Sequence, residues 1–141
     1  MVGIRLRNLT KRFDQTLAVD EVSLDVESGE LFFLLGPSGC GKTTILRLIA
    51  GFCEPDGGEI FFDDRPLSEV PPNKRNAGLV FQNYALWPHM TVAENVAYGL
   101  EERRIPREER NRLVDRALDT MKMEGYADRS PNQLSGGQQQ R

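Results

Sequence analysis

Apolar and polar residues alternate along two stretches near the start of the chain. Residues 4–9 alternate apolar side chains with arginines, and residues 22–26 alternate them with serine and aspartate. A two-residue period is typical of a β-strand with one buried face, so both stretches predict half-exposed strands. Residues 31–35 differ, because five apolar residues follow one another without interruption. Since buried parallel strands lose the alternation, this run predicts a strand buried on both faces.

The next elements follow from helical spacing and from breaks at glycine and proline. Apolar residues along one face at 45–49 predict a helix that ends near Gly51. Residues 59–62 and 77–81 predict two further strands, and the proline-containing stretch 65–76 between them predicts an irregular connection. Strands and helices in this order predict the α/β fold class.

The rest of the chain is predicted to be mainly helical. Thr91 and Glu94 have the spacing of a capping box, in which both side chains accept hydrogen bonds from free amides at a helix start. Pro106 suits the first turn of a second helix, where no N–H is needed. That helix is predicted to bury an apolar stripe at 113–121. Charges of both signs at 101–112 are spaced for pairing along the helix, which favours a solvated face over a nucleic-acid surface.

Composition places the chain among soluble globular proteins. Of its 141 residues, 39% are hydrophobic and 28% are charged, and the formal net charge of −3 gives no general affinity for nucleic acid or an anionic membrane. No apolar run reaches the length of a membrane span, and the first residues lack the apolar core of a secretory signal, which predicts a cytoplasmic protein. The two cysteines, Cys40 and Cys53, lack zinc-ligand spacing and predict no disulfide.

Residues 36–43 read Gly-Pro-Ser-Gly-Cys-Gly-Lys-Thr, the pattern of a phosphate-binding P-loop. Glycines let the backbone curl so that successive N–H groups converge on a phosphate, and the following helix directs its positive end at the same anion. Lys42 would supply a mobile charge for the β- and γ-phosphates, and the Thr43 hydroxyl one Mg²⁺ ligand. A glycine-rich turn could match this pattern by chance, but the predicted order of strand, loop and helix favours a nucleotide site.

A second motif, Leu-Ser-Gly-Gly-Gln, occupies residues 134–138. Ser135 is placed to cap a short helix whose first residues are glycines. Paired glycines are poor helix formers, and their use here favours a helix start that another group approaches closely. We therefore predict a second anion-binding position at this motif.

Together these motifs resemble those of ATP-binding cassette (ABC) ATPases, and the resemblance covers essentially the whole chain. The segment Val-Phe-Gln-Asn at 80–83 is similar to the family's Q-loop. The fold that this implies is a P-loop NTPase core with an incomplete parallel sheet, an N-terminal antiparallel β-subdomain and a helical subdomain. Residues 1–30 would form the β-subdomain, residues 31–84 the core, and residues 85–141 the helical subdomain with its signature helix.

The resemblance also assigns site residues for the cofactors ATP and Mg²⁺. Phe13 would stack on adenine, although a plain core aromatic is the alternative, and Val19 would lie near the base and ribose. Lys42 and Gln82 would be the catalytic residues, and Thr43 and Gln82 would reach Mg²⁺. The phosphates would be held by Ser38, Gly39, Cys40, Gly41, Lys42, Thr43 and Thr44.

In this family the signature motif acts on the nucleotide of a second subunit. Four residues would therefore contact ATP in trans: Ser135, Gly136, Gly137 and Gln138. The resemblance implies a head-to-tail dimer with two ATP molecules between the subunits.

Residues 71–76 and 83–90 resemble those of importer ATPases for sugars, polyamines, sulfate or iron. The region Tyr84 to Met90 would then contact a membrane permease, which implies a peripheral position on the inner face of the cell membrane. Alternatively, these side chains only pack the Q-loop onto the helical subdomain. An ABC ATPase without a membrane partner is the alternative function.

One part of the family pattern is not found in these 141 residues. In the family, an Asp-Glu strand and a switch histidine follow the signature, and His89 precedes it. We therefore expect this stretch to bind ATP but to hydrolyse it poorly. The predicted parallel strands would also lack neighbours, which predicts an oligomer or a marginally stable fold.

Overall fold

The computed structural model describes residues 2–141. These divide into two compact units, one up to Leu79 and one from Val80 to Arg141. Within the described residues, no helix is long and apolar enough to cross a membrane. Each unit has its own hydrophobic core.

The first unit contains a four-stranded antiparallel sheet. Its strands in spatial order are β2 (Thr16–Val26), β1 (Ile4–Phe13), β3 (Gly57–Phe62) and β4 (Arg65–Pro66). The strands predicted from alternation at 4–9 and 22–26 are confirmed, and they pair with each other from Ile4 opposite Val26 to Phe13 opposite Thr16. The strand predicted at 59–62 is confirmed as part of β3.

Helix α1 (Lys42–Ala50) contributes to the core of this unit and confirms the helix predicted at 45–49. It ends at Gly51, whose φ of 84° is the left-handed conformation that commonly closes a helix. The buried core residues come from β1, β2, α1, β3 and the segment after β4: Leu6, Leu9, Val19, Ile45, Leu48, Ile60 and Leu67.

The strands predicted at 31–35 and 77–81 are wrong for this structure, because neither segment forms a strand. Leu31, Phe33 and Leu35 are 78%, 68% and 89% exposed. A strand buried on both faces exists only between neighbouring strands and covering layers, and no described strand pairs with either segment. The apolar composition of these runs predicts burial that residues 2–141 alone do not provide.

The second unit is helical. It contains α2 (Val92–Glu102), α3 (Arg107–Thr120) and α4 (Gly136–Gln140), with a core of Val92, Val114, Leu118 and Met123. The capping box at Thr91 is confirmed, since its side chain accepts a hydrogen bond from the Glu94 amide. The prediction that Pro106 lies in the first turn of α3 is off by one residue, because Pro106 is the N-cap and the helix begins at Arg107. The buried stripe predicted at 113–121 is narrower than expected, because Leu113 and Met121 are 37% and 47% exposed.

Candidate functional site

The glycines of the P-loop, residues 36–41, occupy backbone conformations that other residues adopt with strain. Gly39 and Gly41 have φ angles of 82° and 91°, in the left-handed region. A β-carbon at Gly41 would lie 2.3 Å from the carbonyl oxygen of Ala18 on β2. Position 41 therefore requires glycine both for its conformation and for the close approach of β2.

The Lys42 side chain folds back across this loop. Its ammonium group donates to the carbonyl oxygens of Gly36 at 2.7 Å and Pro37 at 2.6 Å, and lies 3.3 Å from the sulfur of Cys40. The salt bridges of the described residues do not include Lys42, and the three partners named for its ammonium are uncharged groups. An anion in the loop can replace these weak partners with a full negative charge.

The start of α1 suits a phosphate group. Gly41 is the N-cap and supplies no side-chain cap, and the first turn holds no acidic residue. The first-turn amides and the helix dipole therefore favour a negative charge at this end. The predicted phosphate-binding residues Ser38, Gly39, Cys40 and Thr43 are exposed here, and Thr44 is partly buried.

The two predicted Mg²⁺ ligands, Thr43 and Gln82, lie in different units of the chain. The Thr43 hydroxyl lies in the first turn of α1, whereas Gln82 belongs to the other unit. Among residues 2–141, no group of three or more His, Cys, Asp or Glu side chains is placed to hold a metal ion. A divalent cation at this loop would therefore depend on the phosphates for most of its ligands.

The two predicted base-contact residues have different environments. Val19 is 3% exposed, and one of its methyl groups would lie 3.7 Å from a β-carbon at Gly41. Phe13, at the end of β1, is 47% exposed, so the alternative of a core aromatic is wrong. The Lys11 ammonium lies 5.4 Å from the Phe13 ring centroid. Phe13 is thus available for stacking, whereas Val19 is buried in the core next to Gly41 of the P-loop.

Asp56 fixes the strand end that carries Phe13, and the sequence analysis missed it. Its carboxylate accepts hydrogen bonds from the Arg12 amide at 2.6 Å and from the Lys11 ammonium at 3.0 Å. The Arg12 amide is the main reason that the pKa of Asp56 is lowered, followed by Lys11. The only sequence signal was its place in a Pro-Asp-Gly-Gly turn.

In the second unit, Gln82 is exposed in a turn. Tyr84 and Ala85 follow it with φ angles of 60° and 50°, which is an uncommon conformation for two successive residues with side chains. This turn opens the segment Tyr84 to Met90, which is the predicted permease contact and is called the partner region below. Within it, Trp87 is 44% exposed.

Asn95 on α2 holds the partner region, and sequence reasoning did not detect it. Its amide oxygen accepts from the Trp87 amide at 2.8 Å. Its amide nitrogen donates to the carbonyl oxygens of Trp87 at 3.1 Å and Thr91 at 2.8 Å. The Trp87 ring lies 5.6 Å from that of Tyr98, which is also exposed. Trp87 is therefore held in place at its backbone and its ring while remaining accessible.

The signature motif begins α4 as predicted. The Ser135 hydroxyl accepts a hydrogen bond from the Gln138 amide, and the Gln138 side chain accepts one from the Ser135 amide at 2.8 Å. Gln138 also donates to the Tyr126 hydroxyl at 3.0 Å. Gly136 and Gly137 are exposed at the helix start. The motif is thus a rigid turn that presents two residues without side chains.

Comparisons with known proteins agree with this combination of fold and motifs. A family model described as ABC transporter matches residues 19–141. The chain therefore belongs to the ABC transporter family.

Three relatives illustrate the similarity. The chain is 48% identical over 140 residues to the Fe(3+) ions import ATP-binding protein FbpC of Fusobacterium nucleatum, covering 99% of this chain and 38% of that protein. It is 54% identical over 138 residues to the spermidine/putrescine import ATP-binding protein PotA of Lawsonia intracellularis, covering 98% and 38%.

The third is a solved structure, the dimeric post-hydrolysis state of the ATP-binding cassette MJ0796 bound to ADP and Pi. It matches with a TM-score of 0.85 and 32% identity over 97% of this chain and 65% of that one. The α/β class is confirmed by this likeness. The chain spans 38% of the length of the two curated relatives.

Proposed function

We propose that this chain is the ATP-binding part of an ABC importer subunit that couples ATP binding and hydrolysis to solute uptake. The observation that carries the proposal is the P-loop. One loop combines a lysine bonded to two carbonyls and a thiol, glycines in left-handed conformations, and a helix start without a side-chain cap. This arrangement favours a polyphosphate over a neutral or cationic ligand.

On nucleotide binding, the Lys42 ammonium exchanges the carbonyl oxygens of Gly36 and Pro37 for β- and γ-phosphate oxygens. The amides at the start of α1 hold the β-phosphate, while Phe13 stacks on the base. The Thr43 hydroxyl would hold Mg²⁺, and that ion would supply positive charge to the phosphates. The support is the exposure of Phe13 and Thr43, together with a Lys42 ammonium whose hydrogen-bond partners, two carbonyl oxygens and the Cys40 sulfur, are all uncharged.

Displacement of a bound fluorescent ATP analogue tests whether the phosphates carry the affinity. We expect inorganic tripolyphosphate to displace the analogue and adenosine to do so only weakly, because the P-loop donors recognise phosphate. Displacement by adenosine with no effect of tripolyphosphate would contradict the proposal.

We also propose that residues 135–138 contact ATP held by a second subunit in a head-to-tail dimer. The exposed Gly136 and Gly137 allow close approach of another chain, and the similar cassette MJ0796 is described as dimeric. The Ser135→Arg variant should abolish ATP-dependent dimerisation in sedimentation velocity, because a large side chain would fill the approach. ATP-dependent dimers of equal stability in this variant would exclude the assignment.

The importer role is proposed from the relatives, which are import ATP-binding proteins for iron and for spermidine and putrescine. The segment 84–90, in which Trp87 is exposed, is the proposed contact with a membrane permease. This contact would place the protein on the inner face of the cell membrane. Copurification with a polytopic membrane subunit should be lost on Trp87→Ala and retained on Met121→Ala, a control that is similarly exposed on the same unit. Copurification unaffected by Trp87→Ala would argue against this contact.

A further inference from the structure

Arg75 connects the P-loop helix to the loop that follows β4. Its guanidinium donates to the carbonyl oxygens of Leu48 at 2.9 Å and Ile49 at 3.0 Å, in the last turn of α1. The same group donates to the carbonyl oxygens of Val70 at 2.8 Å and Leu67 at 3.1 Å. One planar side chain thus joins two backbone segments through four hydrogen bonds.

All four partners of Arg75 are uncharged backbone carbonyls. The salt bridges of residues 2–141 do not include Arg75. The side chain is partly buried, and desolvation lowers the pKa of its guanidinium. A partly buried arginine without a carboxylate partner acts here through the planar geometry of its donors, which a lysine does not reproduce.

The position of α1 depends on such attachments at its ends. The helix has nine residues, a length at which an isolated helix is marginal in water. In its last turn the Leu48 carbonyl also accepts a hydrogen bond from the Gly51 amide at 3.1 Å, and a cation near the carbonyls at this end stabilises the helix dipole. The N-terminal end of the same helix, about 13 Å away, begins with Lys42 and Thr43.

We propose that Arg75 is a positioning residue of the phosphate site, which anchors the far end of α1 and thereby sets the position of its first-turn amides and of Lys42. This inference rests on the proposed nucleotide-binding function. Arg75 does not touch the nucleotide; it acts through the helix.

Gly51 gives an independent view of the same contact. A β-carbon at this position would lie 2.7 Å from Nε of Arg75 and 2.8 Å from its central guanidinium carbon. The Gly51→Ala variant should therefore displace the guanidinium. Gly29 has nearly the same φ, 83°, but open space around it, so Gly29→Ala reproduces the backbone strain alone.

The test is ADP binding by calorimetry, at a temperature where urea unfolding shows each variant to be folded. Arg75→Met should raise the Kd for ADP about 5- to 10-fold, a typical effect of a residue that acts indirectly. The Kd of Arg75→Lys for ADP should lie between those of the unmodified chain and Arg75→Met. Adenosine binding, followed by ligand-observed NMR, should stay unchanged, because the loss is confined to the phosphate contacts. A general loss of protein stability would instead weaken the binding of ADP and of adenosine alike.

Arg65→Met is the matched control, since Arg65 is exposed on β4 and carries the same charge. It should leave the ADP Kd within about twofold of the unmodified chain. Where Arg75→Met fails to fold, the comparison of Gly51→Ala with Gly29→Ala decides. The inference is supported if Gly51→Ala binds ADP more weakly than the unmodified chain and Gly29→Ala does not. ADP binding within about twofold of the unmodified chain in folded Arg75→Met, or in Gly51→Ala, overturns it. If the unmodified chain itself does not bind ADP, the proposed function fails, and the inference fails with it.

Discussion

At the scale of single residues, Gly41 shows how tightly the P-loop is specified. It must adopt a left-handed φ of 91° and must also leave room for the Ala18 carbonyl of β2. Gly39 has a similar φ but open space around it, so glycine is favoured there only by the backbone conformation and not by a close neighbour. The loop is thus shaped by its own backbone and by contact with the sheet.

The two cysteines should differ in reactivity. Cys40 is exposed in the P-loop, whereas Cys53 is partly buried and desolvation raises the pKa of its thiol, which reduces its thiolate fraction at neutral pH. We expect iodoacetamide to modify Cys40 first, and ATP to slow that reaction. Peptide mapping by mass spectrometry measures both effects. Equal rates at the two thiols, or no protection by ATP, would contradict the site geometry.

Residue types with local chemistry were predictable, and residues with distant partners were not. Lys42 and Thr43 lie at a fixed spacing from the glycines of the P-loop, so the motif can be recognised from the sequence alone. Arg75 reaches a carbonyl 27 residues earlier, and Asp56 an amide 44 residues earlier. No local pattern encodes such a separation, so their roles appear only once the chain is folded.

At the scale of elements, helix starts followed from sequence where a capping box was recognised. Thr91 with Glu94 was predicted and is confirmed. Ser130 with Gln133 has the same spacing and also forms a capping box, but it begins only a three-residue turn, for which no apolar periodicity exists. The signal was present in the sequence, and the shortness of the element hid it.

The capping box of α2 should make stability depend on acid. Hydrogen bonds from the Thr91 amide and hydroxyl lower the pKa of Glu94 in the folded chain. Its stabilising contribution is therefore present above the ordinary glutamate pKa, about 4.3, and is lost as the pH falls through the lower folded value. Glu94→Gln keeps the capping geometry but does not titrate.

Urea unfolding of the two proteins between neutral and acidic pH measures this effect. The free energy of unfolding of the original chain should fall towards that of Glu94→Gln as Glu94 becomes protonated. The Thr91→Ala variant should lose about 1 kcal/mol at neutral pH through the missing cap. A constant difference between the original chain and Glu94→Gln across the pH range would contradict the predicted titration.

The wrong strand assignments have a different origin from the missed residues. The apolar run at 31–35 has the composition of a buried parallel strand, but strand formation requires hydrogen-bonding neighbours that no local property of the run supplies. Antiparallel β1 and β2 were predictable because they pair with each other through a short turn. The class of fold was therefore predictable, while parallel pairing was not.

At the scale of the whole molecule, the exposed run at 31–35 predicts self-association. Leu31 and Leu35 are each more than three-quarters exposed, and adjacent apolar side chains of this size favour contact with another surface. Sedimentation velocity should show concentration-dependent oligomers, which Leu35→Glu reduces and Met121→Glu does not. A concentration-independent monomer would contradict this prediction.

The central claim is that this chain holds ATP through its P-loop, and calorimetric titration with ATP tests it most directly. Charge-assisted hydrogen bonds contribute about 1.5–3 kcal/mol each, so Lys42→Ala should weaken ATP binding at least about tenfold. Lys74→Ala, which removes an exposed lysine in the same unit, should leave binding unchanged. Equal affinity of the original chain and Lys42→Ala for ATP would contradict the account.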